Sequence, residues 1–442
     1  MAKEHYEQIL KLFSQKNINY LLLRYPHIIP REIHDLDLLV ESEEGYHQAR
    51  SVLQQHGFIV LEQEHHRSFW AKKEKSHLLV VDLYQEVSWM GFIVLNKARM
   101  FERKKKISAQ IIIPSPEDDL LVYLAQALFK NWSLNEYKSK VVRTLLQSKL
   151  DLAYISNQTR QYGWDKAGQY LLDRIEKTTG QKNIEIIIPK IILVSNLLPT
   201  FFHQKGLERI SFLKKVLSYP LRAIKQYKTP LRICLLGPDG SGKSTIVNRM
   251  TRRYEEFYAK FDVNAKQLYF GWELFLPTSK IISRILQKKK VKIVEKMNQA
   301  SPKHKFNMFQ ELLLSYYFLE YLGRYYWKIP LLSSKRSLII LDRYFYDIYV
   351  HYRYAQRSVL FKLWLKMYPQ PNFIFLLNPP IETLLARKND LTLDQATEHH
   401  NAYQKLATFL PLVSIDTSKW NEEETEDFIL NQSWKKIVQR VA

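Results

Sequence analysis

The sequence predicts an α/β architecture in two parts, and three observations carry that reading. Past residue 230, apolar runs at 231–236, 266–270, 337–341, 372–377 and 412–416 alternate with helical segments. That order is expected of a three-layer parallel sheet covered on both faces. The first of these runs ends in a glycine-rich loop, residues 237–245, which opens directly into a helix. Upstream, strand-like runs at 20–23, 36–40, 58–62, 68–72 and 77–87 crowd together, and the pattern turns helical from Ser115. This upstream pattern predicts an α+β region with a helical extension.

Each element has a local cause. Around 42–56 the spacing suits a helix. Ser115-Pro116-Glu117-Asp118 supplies a cap, a proline in the first helical position and an acidic first turn. Helices are expected to continue through Lys130, then over 135–156 and 164–178. The basic, partly amphipathic stretch 206–229, cut by Pro220, reads as an inter-domain linker. The expected domains are therefore 1–114 (α+β), 115–205 (helical extension), 206–229 (linker) and 230–442 (parallel sheet).

Composition narrows the function classes. The chain has 442 residues, is 46% hydrophobic and carries a formal net charge of +22, which attracts polyanions: nucleic acid, anionic lipid or phosphorylated metabolites. Its single cysteine, Cys234, excludes an intrachain disulfide and two-cysteine metal motifs, pointing to a reducing cytoplasm. The N-terminal sixteen residues suit an amphipathic helix rather than a signal peptide. The greasiest stretch, 186–202, is broken by Pro189, Lys190, Asn196 and Pro199, so no membrane span is expected.

The loop 237–245 reads Gly-Pro-Asp-Gly-Ser-Gly-Lys-Ser-Thr and fits G-x-x-x-x-G-K-[ST], the cradle of a nucleoside triphosphate. Gly237, Gly240 and Gly242 permit the tight backbone. Amides from Asp239 to Thr245, Ser241 among them, would face the phosphates at the helix N-terminus. Lys243 would neutralise β- and γ-phosphate charge, and the Ser244 hydroxyl would ligate Mg²⁺. ATP and Mg²⁺ are the expected ligands. A second pair, Asp342-Arg343, ends the run 337–341, and ligands of parallel sheets bind at such carboxyl ends.

These two motifs resemble the signatures of the thymidylate kinase superfamily, over roughly residue 231 to the C-terminus. A third segment, Pro371 to Pro380 followed by 381–388, resembles that family's fourth strand and lid. The resemblance implies that Asp239 faces the acceptor sugar, that Arg343 binds phosphate, and that Arg387, helped by Lys388, stabilises charge on the transferred phosphoryl group. It places adenine near the loop 417–420. The chain departs from the family after the second strand, where Arg-Glu-Pro-Gly is replaced by Tyr-Phe-Gly-Trp-Glu-Leu at 269–274 and a basic insert follows. Arg324, Arg353 and Arg357 read either as acceptor-binding groups or as surface charge.

Upstream, Asp35 and Asp37 stand at i and i+2, so on a strand they share one face. Two aligned carboxylates bridge divalent metals in nucleotidyl transfer. A third acid, Asp82, lies inside an apolar run, where an unpaired charge is costly. This Asp-x-Asp plus Asp pattern resembles the polymerase-β-like nucleotidyltransferase superfamily over about 20–87, which implies that Asp35, Asp37 and Asp82 are metal ligands. In place of that family's Gly-Ser element the chain has Leu23-Arg24-Tyr25-Pro26.

The expected function is an ATP-dependent phosphotransferase with a nucleotide or phosphorylated acceptor, fused to a nucleotidyltransferase-like domain. Its resemblances suggest nucleotide-sugar or surface-polysaccharide metabolism and a homodimer. Two alternatives stay open. One is a nucleic-acid end-processing enzyme, motivated by charge but lacking a recognised nucleic-acid motif. The other is an ATP-switched peripheral membrane protein at the inner membrane face, motivated by the basic linker.

Overall fold

The computed structural model describes residues 2–26, 35–64, 66–75, 77–89, 92–177, 186–188, 202, 210, 230–258, 261, 263–271, 308–332, 337–387 and 392–441. The linker 206–229, Lys388, Trp272 and the basic insert after it lie outside the described residues, as does most of the greasy stretch 186–202. The chain divides into two compact units, Met1–Arg222 and Ala223–Val441.

In the first unit, β1 (Tyr20–Leu23), β2 (Leu36–Val40), β3 (Ile59–Gln63), β4 (Arg67–Glu74) and β5 (His77–Tyr84) form one sheet in the order β1-β2-β5-β4-β3. β2 pairs β5 in parallel and the other pairings are antiparallel. Alternation along the strands divides the side chains between two cores. Leu22, Leu36, Leu38, Val81 and Leu83 join Tyr6, Phe13, Tyr46 and Val52 from the helices Ala2–Gln15 and Glu43–Gln55. Leu21, Leu23, Leu39 and Tyr84 pack instead into a cluster with Leu120, Leu124, Phe129 and Trp164.

Ser115 caps the helix Pro116–Gln126 by accepting from the Asp118 amide, and Pro116 opens it. The expected continuation through Lys130 occurs as a π-turn, Ala127–Asn131, closed by Trp132 in a left-handed conformation. One expectation is corrected: 135–156 is two helices, Glu136–Leu146 and Leu152–Gln161. Asp151 accepts from the Tyr154 amide and starts a fresh helix, a capping preference that overrides continuous periodicity.

In the second unit, β6 (Leu231–Leu236), β7 (Asn264–Tyr269), β8 (Ser337–Asp342), β9 (Phe373–Leu377) and β10 (Val413–Ile415) form an all-parallel sheet in the order β7-β8-β6-β9-β10. β6 and β8 are buried throughout, while the edge strands β7 and β10 alternate or lie open. Continuous apolar runs thus fall on the central strands, where both faces are covered. From β6 the chain passes to one side of the sheet for β7 and β8, then to the other for β9, so the carboxyl end of β6 is the switch point. Among the described residues, no helix is long and apolar enough to cross a membrane.

Candidate functional site

The loop after β6 takes the shape its glycines allow. Gly237, Gly240 and Gly242 have φ of 148°, 86° and 89°. A Cβ on Gly237 would stand 2.3 Å from the Leu377 carbonyl oxygen at the end of β9, so only glycine passes there. Gly242 is the left-handed residue before the helix Lys243–Phe257, so the first-turn amides of that helix face out of the sheet edge. Ser241 is fully buried, whereas Ser244 and Thr245 are exposed in the first turn.

Lys243 is buried and its Nζ donates to the Pro238 carbonyl at 2.7 Å. Burial pushes its pKa down to about 8, with Arg343 adding to the shift. A cation so held gains when an anion enters the loop. Ser244 Oγ donates to Asp342 Oδ2 at 2.9 Å, while the buried Asp342 Oδ1 has no hydrogen-bond partner.

Parallel register explains why Asp342 and Arg343 face this loop. Leu235 pairs with Asp342, and the Arg343 amide donates to the Leu235 carbonyl at 3.1 Å. Arg343 itself adopts φ 67°, an unusual conformation for a non-glycine residue. Its guanidinium bonds Asp239 of the loop and, at 2.8 Å, Oδ2 of the fully buried Asp347. Burial works against that charge, but Asp347 and Asp239 more than offset it and hold the pKa above the ordinary arginine value.

Asp347 Oδ1 also accepts from Tyr403 at 3.0 Å, and Arg343 Nη1 lies 3.3 Å from His351 Nε2. His351 stands against the His399 ring, 4.8 Å between centroids, and burial pushes it down to about 4. Asp347, His351, His399 and Tyr403 escaped the sequence reading. Only Asp347, four residues after Arg343 and the first residue of the next helix, leaves a local signal.

Arg387 turns to a different part of the edge. It donates to the Thr417 carbonyl at 2.9 Å, and Thr417 Oγ1 donates to the Ser241 carbonyl at 3.3 Å. Arg324 is fully buried, with Nη1 donating to the Gly271 carbonyl at 2.7 Å between the Phe270 and Tyr321 rings. Arg353 pairs with Glu398.

A second cluster lies in the first unit. Asp37 and Asp82 are register partners on β2 and β5, on the face shared with Leu39 and Tyr84. Asp35 precedes β2, so only Asp37 of the pair lies within the strand. Arg24, at φ 56°, meets Asp37 Oδ2 at 2.5 Å. Arg67 Nε and Nη2 each lie 2.6 Å from an Asp82 oxygen, and Tyr84 donates to Asp82 at 2.9 Å. Burial opposes ionisation of Asp82, yet Arg67 holds it below the usual carboxylate range.

Lys130, on the π-turn, completes the group. Although its side chain reaches the surface, loss of water around it and the repulsion of Arg67 lower its pKa to about 8. Asp119, buried beside Arg24, is pushed up to about 7. Arg67, Lys130 and Asp119 left no motif in the sequence. Among the described residues no group of three or more His, Cys, Asp or Glu side chains is placed to hold a metal ion together. Asp37 and Asp82 meet across the strands but are engaged by arginines.

A family model described as an uncharacterised nucleotidyltransferase matches residues 1–180. No curated protein matches the chain. Solved structures similar to part of it include thymidylate kinase from Candida albicans, at 14% identity and TM-score 0.34, covering 48% of this chain and 93% of that one. Deoxyadenosine kinase from M. mycoides with bound dATP is 13% identical at TM-score 0.26, covering 46% and 98%. Thymidylate kinase from Ehrlichia chaffeensis is 14% identical at TM-score 0.30, covering 46% and 98%.

Proposed function

We propose that the second unit transfers the terminal phosphoryl group of ATP to a small hydroxyl-bearing acceptor, and that the first unit is nucleotidyltransferase-like. One observation carries the kinase reading. Lys243, the Ser244–Asp342 pair and the Asp239–Arg343 pair converge at the carboxyl end of β6. A glycine loop alone binds phosphate. A loop with an acid and an arginine in reach also has somewhere to seat an acceptor.

The donor set suits Mg²⁺, because Asp342 Oδ1 is a buried acceptor without a hydrogen-bond partner beside the Ser244 hydroxyl. Nucleotide-bound Mg²⁺ takes only one or two protein oxygens and keeps its waters and phosphate oxygens, so a larger acid cluster is not required. When bound, it would neutralise charge on the phosphates. Lys243 then holds the phosphate oxygens, and the first-turn amides fix their orientation. Arg343 and Asp239 position the acceptor. Arg387 steadies the Thr417 loop against Ser241. No covalent intermediate is needed.

The first unit rests on its family match and on the pairing of Asp37 with Asp82. As placed, both acids face arginines rather than one another's ligand, so no metal-dependent step is derived there.

The test is direct. With labelled ATP and a panel of acceptors, Lys243→Ala should abolish phosphotransfer while Asp35→Ala leaves it unchanged. Transfer by the Lys243 variant at the unaltered rate overturns the reading.

A further inference from the structure

Two helices beyond the glycine loop share a pattern that the kinase reading leaves unused. Asp347 and His351 stand four residues apart in the helix Asp347–His351, and His399 and Tyr403 four apart in the helix Leu393–Ala407. Residues so spaced lie on one helical face. The two faces meet in opposite order. Asp347 Oδ1 accepts from Tyr403 at 3.0 Å, and the His351 ring stands edge-on to His399 with 4.8 Å between centroids. Asp347 and Tyr403 are both buried, so the first of these rungs is closed to water.

Both residues of the shorter helix also reach Arg343, and they reach the same nitrogen. Nη1 donates to Asp347 Oδ2 at 2.8 Å and lies 3.3 Å from His351 Nε2. Nη2 turns the other way, to Asp239 of the glycine loop. A guanidinium is a rigid planar fork, so holding one arm sets the direction of the other. A long side chain left to itself samples many rotamers and must lose them on binding. In Arg343 that freedom is already restricted at both ends. Its amide is tied to the Leu235 carbonyl, and its Nη1 to a buried carboxylate that Tyr403 holds in turn.

We propose that Asp347 and Tyr403 are positioning residues of the phosphotransfer site. Tyr403 orients Asp347, Asp347 clamps Nη1 of Arg343, and the clamp aims Nη2 at the loop beside Asp239. His351 and His399 form the second rung of the same support. This rests on the kinase reading and adds to it a support outside the reacting groups.

The test uses the full chain. Tyr403→Phe removes only the hydroxyl at the far end of the relay, and Asp347→Asn removes the charge that clamps Nη1. Glu398→Gln is the control, because it cuts the Arg353 pair that joins the same two segments at the surface. Arginine labelled with ¹⁵N in its guanidinium gives the first readout, with the Arg343 signal assigned by Arg343→Lys. Tyr403→Phe and Asp347→Asn should speed solvent exchange of the Arg343 Nη protons about fivefold or more, and Glu398→Gln should leave it unchanged. Tyr403→Phe, the milder change, carries the test should Asp347→Asn not fold.

The second readout is transfer from labelled ATP to nucleosides, hexoses and their monophosphates, followed on whichever the parent protein phosphorylates fastest. Tyr403→Phe should lower kcat/KM for that acceptor about tenfold and leave KM for ATP unchanged. An equal loss in Glu398→Gln, or KM for ATP rising in step, would mean that these residues merely hold the helices together and would overturn the proposal. So would Arg343 exchange that stays at the parental rate in Tyr403→Phe. Each of these results leaves the kinase reading in place. If the parent protein phosphorylates none of the panel, the kinase reading falls, and the Arg343 exchange rates alone decide the clamp.

Discussion

Ser244 donates to Asp342 across 2.9 Å, joining the first turn of a helix to the end of a strand 98 residues further on. Its second carboxylate oxygen is buried and without a hydrogen-bond partner. Asp342→Asn should therefore weaken Mg²⁺-dependent ATP binding by about ten- to a hundredfold. Binding of ATP in the presence of a chelator should barely change. Calorimetry with and without Mg²⁺ separates the two, and equal losses in both would remove Asp342 from the metal's neighbourhood.

Two glycines of the loop should respond differently to alanine. Gly237→Ala drives a methyl to 2.3 Å from the Leu377 carbonyl oxygen, a backbone atom that cannot step aside. A loss on the order of 3 kcal/mol is expected. Gly242→Ala has nothing within 4 Å and is strained only by its φ of 89°, so about 1 kcal/mol should be lost. Thermal unfolding of the full chain, with and without ATP, ranks the pair; a larger loss at Gly242 would refute the packing argument.

Arg67 and Asp82 form a bidentate pair in the first unit, each almost buried. Arg67→Gln strands a buried carboxylate and should cost about 3–5 kcal/mol. Adding Asp82→Asn should return most of that loss, because two neutral groups remain. Additive losses in a denaturant double-mutant cycle would mean that the pair is not coupled.

Asp119 supplies a pH signature. Burial raises its pKa from 3.8 to about 7. Between those values the folded chain holds a proton the unfolded chain has released, so this group's contribution to stability falls as pH rises across the window. Asp119→Asn should match the parent protein near pH 4 and exceed its stability by a few kcal/mol near pH 8. A difference that does not change with pH would rule out titration of Asp119.

Lys243 has the opposite charge and a related cost. Its pKa is lowered from 10.5 to about 8, so the folded state disfavours the ammonium. Stability from this group is lowest below about pH 8 and recovers as pH rises toward 10.5. Lys243→Met should raise the Tm at pH 7, and the gain should shrink in alkaline buffer. ATP should no longer raise the Tm of the variant. If ATP stabilises it as before, Lys243 is not a phosphate ligand.

Sequence by itself determined the elements and the loop, because their causes are local. Runs of buried aliphatic residues marked β6, β8 and β9, and Ser115 with Pro116 announced a helix start. Gly237, Gly240 and Gly242 sit where positive φ is needed. Asp342 and Arg343 were legible as the end of a strand, and their neighbour Asp347 nearly so.

Only the tertiary structure decided which charges meet. Asp239 lies 104 residues from Arg343, and Tyr403 lies 56 from Asp347. Such partners depend on strand order and register, which periodicity does not encode. Asp82 makes the same point within a shorter span. Its burial read as a metal ligand, yet the antiparallel pairing of β4 with β5 brings Arg67 onto it, and a buried acid can be satisfied by a guanidinium as well as by a cation from solution.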